Sequence, residues 1–588
     1  MMIDDLRSDL KLFSEPSVSM IDNYSPSQES VCPLRGKVRK SAWRQFKDSF
    51  KSAEYGYVDS NLSIIQKSNL RSIRAPLHRK LKRRHLQMIA IGGSVGTGLF
   101  VGSGSALAQG GPAALLIAWI LTGAMMYCTV QALGELAATF PVSGSFVQYN
   151  TRFISPIWGF CMAWDYALQW CVTLPLELVA AALTIQYWNT SINSASWVAI
   201  FYIIIVIINM FGIKGYGEAE FIFSLFKIIA IIGFIILGIV LDCGGGPDSE
   251  YIGGKYWHNP GAFANGFKGV CSVFVTAAFS FAGTELCGLA AAETDNPRET
   301  LPSAIKQVLW KITLFYIISL TLIGLLIPYN DSQLLNGTSS VDAKASPFVI
   351  AIKIHGIKGL PSVLNIVIMI AVLSVGNSSV FACSRTICCL AEMGMAPKSF
   401  GYIDRMGRPL VGILISLIFG LLCFIAASPH QDTVFTWLLA LSGLSCVFTW
   451  GSICVCHLRF RAALELRERS VDELTYVSQS GKIGSWFGVI MNLLILIAQF
   501  YIAIFPIGEQ PSVEAFFEGL LSIPVLIVLI AFYIFWKRDS SFYIKTRDID
   551  IDTGRRNYDL GRLKQMIAKE KARIRKMPFY YRVYKFWC

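Results

Sequence analysis

Two short stretches carry residues able to hold a small polar solute, and both lie inside apolar runs. The first is Gly92-Gly93-Ser94-Val95-Gly96-Thr97-Gly98-Leu99-Phe100-Val101-Gly102-Ser103-Gly104, within a run from about Met88 to Ala108. Each glycine costs a helix about 1 kcal/mol relative to alanine, so Gly92, Gly93, Gly96 and Gly98 within two turns argue for an interrupted helix. In hydrocarbon such backbone survives only where protein or a wet cavity covers it. The second stretch, Phe279-Ser280-Phe281-Ala282-Gly283-Thr284-Glu285, repeats the anomaly. A half-helix beginning near Thr97 and Gly98 offers amides and a positive dipole end to a carboxylate. Carbonyls around Ser94 and from Ser280 to Ala282 suit an ammonium group. A solute with both groups a few ångströms apart is an α-amino acid. Glycines at four-residue spacing (Gly92 to Gly96, Gly98 to Gly102) also permit close helix packing, which accounts for one such pair but not for the whole cluster.

Ionisable residues inside apolar runs are functional candidates by default. Lys227, in Leu225-Phe226-Lys227-Ile228-Ile229, lies about 12 Å into its run at 1.5 Å per residue. Either it snorkels to the interface, or it gains and loses a proton in place. Glu177 follows Thr173-Leu174-Pro175-Leu176, where proline frees a backbone group, and is expected to line a pathway. Asp165 falls about 120° away round the same helix, and is expected nearer an inner vestibule. Glu285 is expected to tie down amides freed by the second break. Glu135, in Gly134-Glu135-Leu136, either fixes an inner gate or loop or is a plain solvated carboxylate.

The elements that must position these residues follow from composition. Of 588 residues 54% are apolar and only 15% charged, against about 25% charged in soluble domains, which makes the chain a polytopic membrane protein. The net charge of +13 does not point to nucleic acid, because Arg71, Arg74, Arg79, Lys80, Lys82, Arg83 and Arg84 crowd before the first run, where they act as topology signals. Twelve apolar segments, numbered one to twelve below, occupy roughly 88–108, 113–138, 156–186, 196–213, 219–241, 266–291, 306–328, 361–390, 410–427, 433–457, 486–506 and 517–536. The predicted fold is an all-α membrane protein of twelve transmembrane helices. Breaks in segments one and six mark a five-plus-five inverted repeat, about 86–241 and 266–457, with the site where the breaks meet. Segments 486–536 are accessory. Residues 1–85 form a largely disordered cytosolic tail, 86–541 the transporter domain and 542–588 a second cytosolic tail. Residues 346–358 are expected to form a short interfacial helix.

Independent signals agree with this topology. Lys and Arg collect in the loops placed inside, and the sequons at Asn189, Asn330 and Asn336 fall in loops placed outside. Most of the fifteen cysteines lie within the apolar segments, where they act as small apolar residues. Cys454-Val-Cys456-His457 lacks the spacing of a zinc site. No metal, cofactor or nucleophile–base constellation is expected, so an enzyme is disfavoured. A channel is disfavoured too, for want of a ring-forming filter motif.

The Gly92–Gly104 and Phe279–Glu285 stretches, together with Asp295-Asn296-Pro297-Arg298, Ser374-Val375-Gly376-Asn377-Ser378, Ser384-Arg385-Thr386 and Gly407-Arg408-Pro409-Leu410, resemble the fungal amino-acid permeases of the amino acid–polyamine–organocation superfamily. The tail Asp550-Ile551-Asp552-Thr553-Gly554-Arg555-Arg556 and terminal Phe586-Trp587-Cys588 look most like the general amino-acid permease subgroup. The resemblance implies a plasma-membrane symporter that imports L-amino acids with protons by alternating access, multi-pass, with both termini cytosolic. Carried over by position, Ser94, Gly96, Thr97 and Gly98 would hold the substrate's main-chain groups, facing Phe279, Ser280, Ala282 and Gly283, with Phe279 as a lid. Lys227 matches a lysine proposed for proton coupling in related bacterial carriers, and Glu177 is expected to share that task. Thr173, Glu177 and Ser442 fall where selectivity is set. Cys588 matches a palmitoylated cysteine. Lys11 and Lys37 could accept ubiquitin from a ligase, and membrane lipid is the remaining partner. Asp165 stands where many relatives carry asparagine, and Phe381 replaces a frequent tyrosine. The alternative function is an amino-acid sensor using the same pocket for signalling.

Overall fold

Apolar runs of this length can satisfy their backbone polar groups only within themselves, as helices. The computed structural model describes residues 47–53, 81–188, 191–247, 249–294, 297–335, 346–427, 431–508, 510–538, 540–553, 555 and 560–582. Among the described residues there is no strand, only isolated bridges between Ser52 and Asp404 and between Leu81 and Thr294. Eight helices there are long and apolar enough to cross a membrane, and the apolar helices Ser194–Met210, Leu410–Phe424 and Ser522–Lys537 are shorter. The chain is a multi-pass membrane protein.

Segments one and two run together as Gly98–Thr139, 42 residues, which is about 63 Å at 1.5 Å per residue and twice the ~30 Å of hydrocarbon. Gly111 bends this stretch with φ +80° and ψ 171°, just before Pro112. A Cβ at Gly111 would sit 2.7 Å from the Ala262 carbonyl oxygen, so only glycine fits. Segment five starts earlier than its apolar run, with helix Gly212–Asp242, which puts Lys227 about 22 Å from the helix start rather than 12. Segment seven likewise begins at Pro297 and carries a π-helical stretch, Ile312–Ile318, before Ser319–Leu326.

One expectation needs correction. Helix Pro347–Ile354 is buried from Pro347 to Ile352 rather than lying at an interface. Its Phe348 ring packs 5.1 Å from Phe100 and 4.7 Å from Phe234, and Ser346 donates to the Phe100 carbonyl at 2.6 Å, so the helix plugs the second half of segment one. Of the two readings of Glu135, the contacts fit the one in which it fixes a loop. It is fully buried, 2.6 Å from Arg461 and 3.1 Å from His457, and accepts the Ser478 amide at 2.7 Å, pinning segment two to segment ten and the following loop. Removing one partner of a buried pair costs about 3–5 kcal/mol, so Glu135→Ala should lower the melting temperature of the detergent-solubilised protein by about 2–4 °C, read by a thiol-dye or scattering melt.

Parts of both expected tails are seated. Ala53 donates to the Ile403 carbonyl at 3.0 Å and Arg405 to that of Lys51 at 2.9 Å. Beyond segment twelve, Ile544 donates to the Ile154 carbonyl at 2.9 Å, Arg152 reaches the Thr553 carbonyl at 2.8 Å, Arg469 pairs with Asp552 at 2.5 Å, and Ile549 and Ile551 are fully buried. Cys588, Asn189, Asn336, Lys11 and Lys37 lie outside the described residues; Asn330 is in an exposed turn.

Candidate functional site

Helix Arg83–Gly92 stops at a glycine pair, and helical hydrogen bonding resumes only at the π turn Gly98–Gly102, whose N-cap is Thr97. Segment six runs as Phe274–Phe281, breaks, and resumes at Leu286–Ala290. Gly283 sits in the break at φ +93°. The two breaks lie against each other at two places. A Cβ built on Gly98 would be 2.6 Å from Ser280 Cα, and one on Gly283 would be 2.9 Å from the Gly93 carbonyl oxygen. Gly98 is thus brought against Ser280 and Gly283 against Gly93, while a Cβ at Gly96 would meet Val375 of segment eight; Ser94, Gly96, Thr97, Gly98, Phe279, Ser280, Ala282 and Gly283 are all buried.

Segment seven laces the breaks. Lys311, buried, donates to the Ala90 carbonyl at 3.0 Å, to the Ser94 hydroxyl at 2.7 Å and to the Thr284 hydroxyl at 2.7 Å. One turn on, the Tyr316 hydroxyl donates to the Ser280 carbonyl at 2.7 Å and lies 3.2 Å from the Ser94 hydroxyl. Ser94's hydroxyl is thus committed to joining the breaks. Glu285 accepts from the Gly283 amide at 3.2 Å, from Tyr166 at 3.1 Å and from the Trp450 indole at 3.2 Å, holding break six to segments three and ten.

Segment three supplies the facing wall. Thr97 donates its hydroxyl hydrogen to Glu177 at 2.6 Å, so a protein carboxylate stands at the N-terminus of the second half-helix. That is the place expected for a solute's carboxylate. One turn before Glu177, Thr173 lies 3.0 Å from Ser442 on segment ten, and Phe279 packs beside Gly443. Asp165 is elsewhere: it is buried against segment ten, accepting from Ser445 at 2.9 Å, whose hydroxyl is 3.3 Å from Ser522 on segment twelve. Phe381 stacks on Tyr216 with centroids 4.4 Å apart, and the Arg385 guanidinium covers its other side at 4.2 Å, so the ring serves as a sandwich filling where a hydroxyl is not needed.

Lys227 does not snorkel. It is fully buried and donates to the Gly92 carbonyl at 2.7 Å and to the Ser374 hydroxyl at 2.8 Å. Cys454, Cys456 and His457 point to three different neighbours, Thr129, Asn150 and Ser485. Sequence reasoning missed Lys311 and Tyr316, which hold the breaks together, and Ser374 and Glu220, which continue a hydrogen-bonded chain from Lys227 away from the breaks. Lys311 stands only five residues into its apolar run, where it reads as an interfacial base, and Glu220 stands at the very start of its run, where it reads as a boundary acid.

A family model described as "Amino acid permease" matches residues 85–543. The chain is 62% identical over 553 residues to General amino-acid permease GAP2 of Candida albicans, covering 93% of this chain and 94% of that one. It is 57% identical to General amino-acid permease GAP1 of Saccharomyces cerevisiae, covering 96% and 94%, and 52% identical to a histidine permease of the same yeast, covering 87% and 86%.

Proposed function

The chain belongs to the amino acid permease family, and from that premise we propose that it imports L-amino acids of many kinds across the plasma membrane, coupled to protons. Its twelve segments act as spans with both termini cytosolic, five plus five of them as inverted repeats around breaks one and six. The observation that carries the reading is the meeting of those breaks under Glu177. Exposed main chain at mid-membrane depth is tolerable only when covered, and a zwitterion satisfies both kinds of pole at once, its carboxylate on the Thr97–Gly98 end and its ammonium on the carbonyls near Ser94 and Ser280.

Coupling follows from competition at that helix end. A substrate carboxylate arriving beside ionised Glu177 meets a like charge within a few ångströms, and like charges sharing a site favour uptake of a proton. Protonated Glu177 admits the carboxylate, and the proton travels with it. Lys227, held on the carbonyl that ends the first half-helix, is the second proton-carrying group. Thr173, Ser442 and Phe279 border the side chain, and their small or apolar surfaces suit a broad range of substrates.

The test is uptake of labelled amino acids in a permease-deficient cell. Uptake above background that collapses with a protonophore is expected; uptake indifferent to the protonophore removes the coupling, and none at all removes the function. Glu177→Gln supplies a neutral partner for Thr97 without a titratable proton. It should keep substrate binding while cutting accumulation against a gradient by about ten-fold or more, a split visible as retained exchange with lost concentrative uptake.

A further inference from the structure

Lys227 is one end of a hydrogen-bonded chain. Its Nζ donates to Ser374 Oγ at 2.8 Å, that hydroxyl donates to Glu220 Oε2 at 2.8 Å, and the Asn377 amide donates to Glu220 Oε1 at 3.1 Å. Asn377's own carboxamide oxygen accepts from Asn209 at 3.0 Å, which turns its NH2 group toward Glu220 and fixes that carboxylate as an acceptor. Lys227, Ser374, Asn377 and Glu220 are all fully buried. Glu220 precedes Lys227 by two turns on the same helix, about 10 Å nearer the helix start, the end that the proposed orientation places at the cytosol. The acids whose charge reaches Lys227 are Glu177 on one side and Glu220 on the other. Among the remaining ionisable groups nearby, Lys311 sits across segment one on the Ala90 carbonyl, Tyr216 is one turn before Glu220 with its hydroxyl 3.2 Å from Ser378, and Glu293 is paired with Arg385 at 2.9 Å.

We propose that Glu220 receives the transported proton from Lys227 through the Ser374 hydroxyl and passes it toward the cytosol. This rests on the proton-coupled reading of the same site. In the step, one N–H bond of the Lys227 ammonium breaks as Ser374 Oγ takes the proton, and the hydroxyl's own O–H bond breaks as Glu220 Oε2 takes that one. The products are a neutral amine, an unchanged hydroxyl and a carboxylic acid, with no electron gained or lost. The trio is net neutral before and after, so the transfer moves no net charge into the low-dielectric interior, where an uncompensated ion is costly. The donor order seen here, amine to hydroxyl to carboxylate, is the order the step requires.

The experiment reconstitutes the full-length protein in proteoliposomes and measures, in the same preparation, amino-acid-driven proton influx with an entrapped pH dye and labelled amino-acid exchange without a gradient. Glu220→Gln should lower proton influx per amino acid about ten-fold or more while the exchange KM moves by less than about three-fold. Ser374→Ala should do the same with Glu220 intact, and Ser374→Thr, which keeps the hydroxyl, should restore coupling. Wild-type proton influx in both Glu220→Gln and Ser374→Ala overturns the relay, as does loss of exchange in step with proton influx, the mark of a structural counter-ion. If Glu220→Gln does not reach the membrane intact, the Ser374→Ala and Ser374→Thr pair decides alone. Wild-type protein that moves no protons removes the coupling reading and the relay with it, whereas a coupled wild type with unaffected variants removes the relay only.

Discussion

Lys311→Met should all but abolish uptake per molecule at the cell surface. The ammonium group is buried and its three hydrogen-bond acceptors are neutral oxygens, the Ala90 carbonyl and the Ser94 and Thr284 hydroxyls, which belong to both breaks. Hydrogen bonds from a charged donor contribute about 1.5–3 kcal/mol each, and a buried acceptor left without a donor costs about 1–3 kcal/mol. Losing even two of the three amounts to about 3 kcal/mol, or roughly 100-fold at 1.4 kcal/mol per decade. Methionine fills the same length without a charge, so the loss reports on the missing bonds rather than on a cavity. The check is initial uptake rate normalised to surface-biotinylated protein. Uptake within a few-fold of wild type would show that the breaks hold their geometry without the lysine, and that segment seven is packing rather than support.

How such a residue escapes a sequence reading is instructive. The two breaks are legible because glycine and serine inside an apolar run contradict a helix locally, with no need of a partner. Lys311 has no such local contradiction: it follows Trp310, five residues beyond Lys306, near the inner end of segment seven, and reads as one more interfacial base. Only acceptors on two other helices show that it is enclosed. Glu220 is hidden for the same reason, since it opens segment five and looks like a boundary acid until Ser374 and Asn377 of segment eight are seen around it. The helical wheel separates Asp165 from Glu177 correctly, but what lies on Asp165's face depends on Ser445 and Ser522, far along the chain. Helix Pro347–Ile354 is too short to span and carries Lys353 near its end, which suits an interface; its burial is decided by Phe100 and Phe234, whose rings no local pattern ties to Phe348. The elements themselves are extended beyond their apolar runs, at Gly212 and Pro297, because polar residues can continue a helix out of the membrane without any hydropathic trace.

Gly98→Ala, the addition of one methyl group, should cost nearly as much as the loss of Lys311. Gly98 opens the π turn of the second half-helix, and a Cβ there would stand 2.6 Å from Ser280 Cα and 2.9 Å from Ser280 N, both main-chain atoms of the facing break. A side chain could rotate away, but a main chain cannot, so the breaks must part by a large fraction of an ångström. Overpacking of this kind costs about 1–3 kcal/mol or more, and a displacement of about 1 Å between groups that must act together can cost roughly 100-fold in rate. Propensity pulls the other way, because alanine is about 1 kcal/mol the better helix former; a loss therefore isolates the contact between the breaks. Gly233→Ala is the control, since nothing lies within 4 Å of a Cβ at that position of segment five, and it should transport as wild type. The measurement is uptake against substrate concentration for both variants at matched surface levels, with a raised KM, a lowered maximal rate or both expected for Gly98→Ala alone. Equal kinetics in the two would mean that the working protein spends its cycle with the breaks further apart than they stand here, and a substrate poised between main-chain poles would then lose the close frame that makes those poles useful.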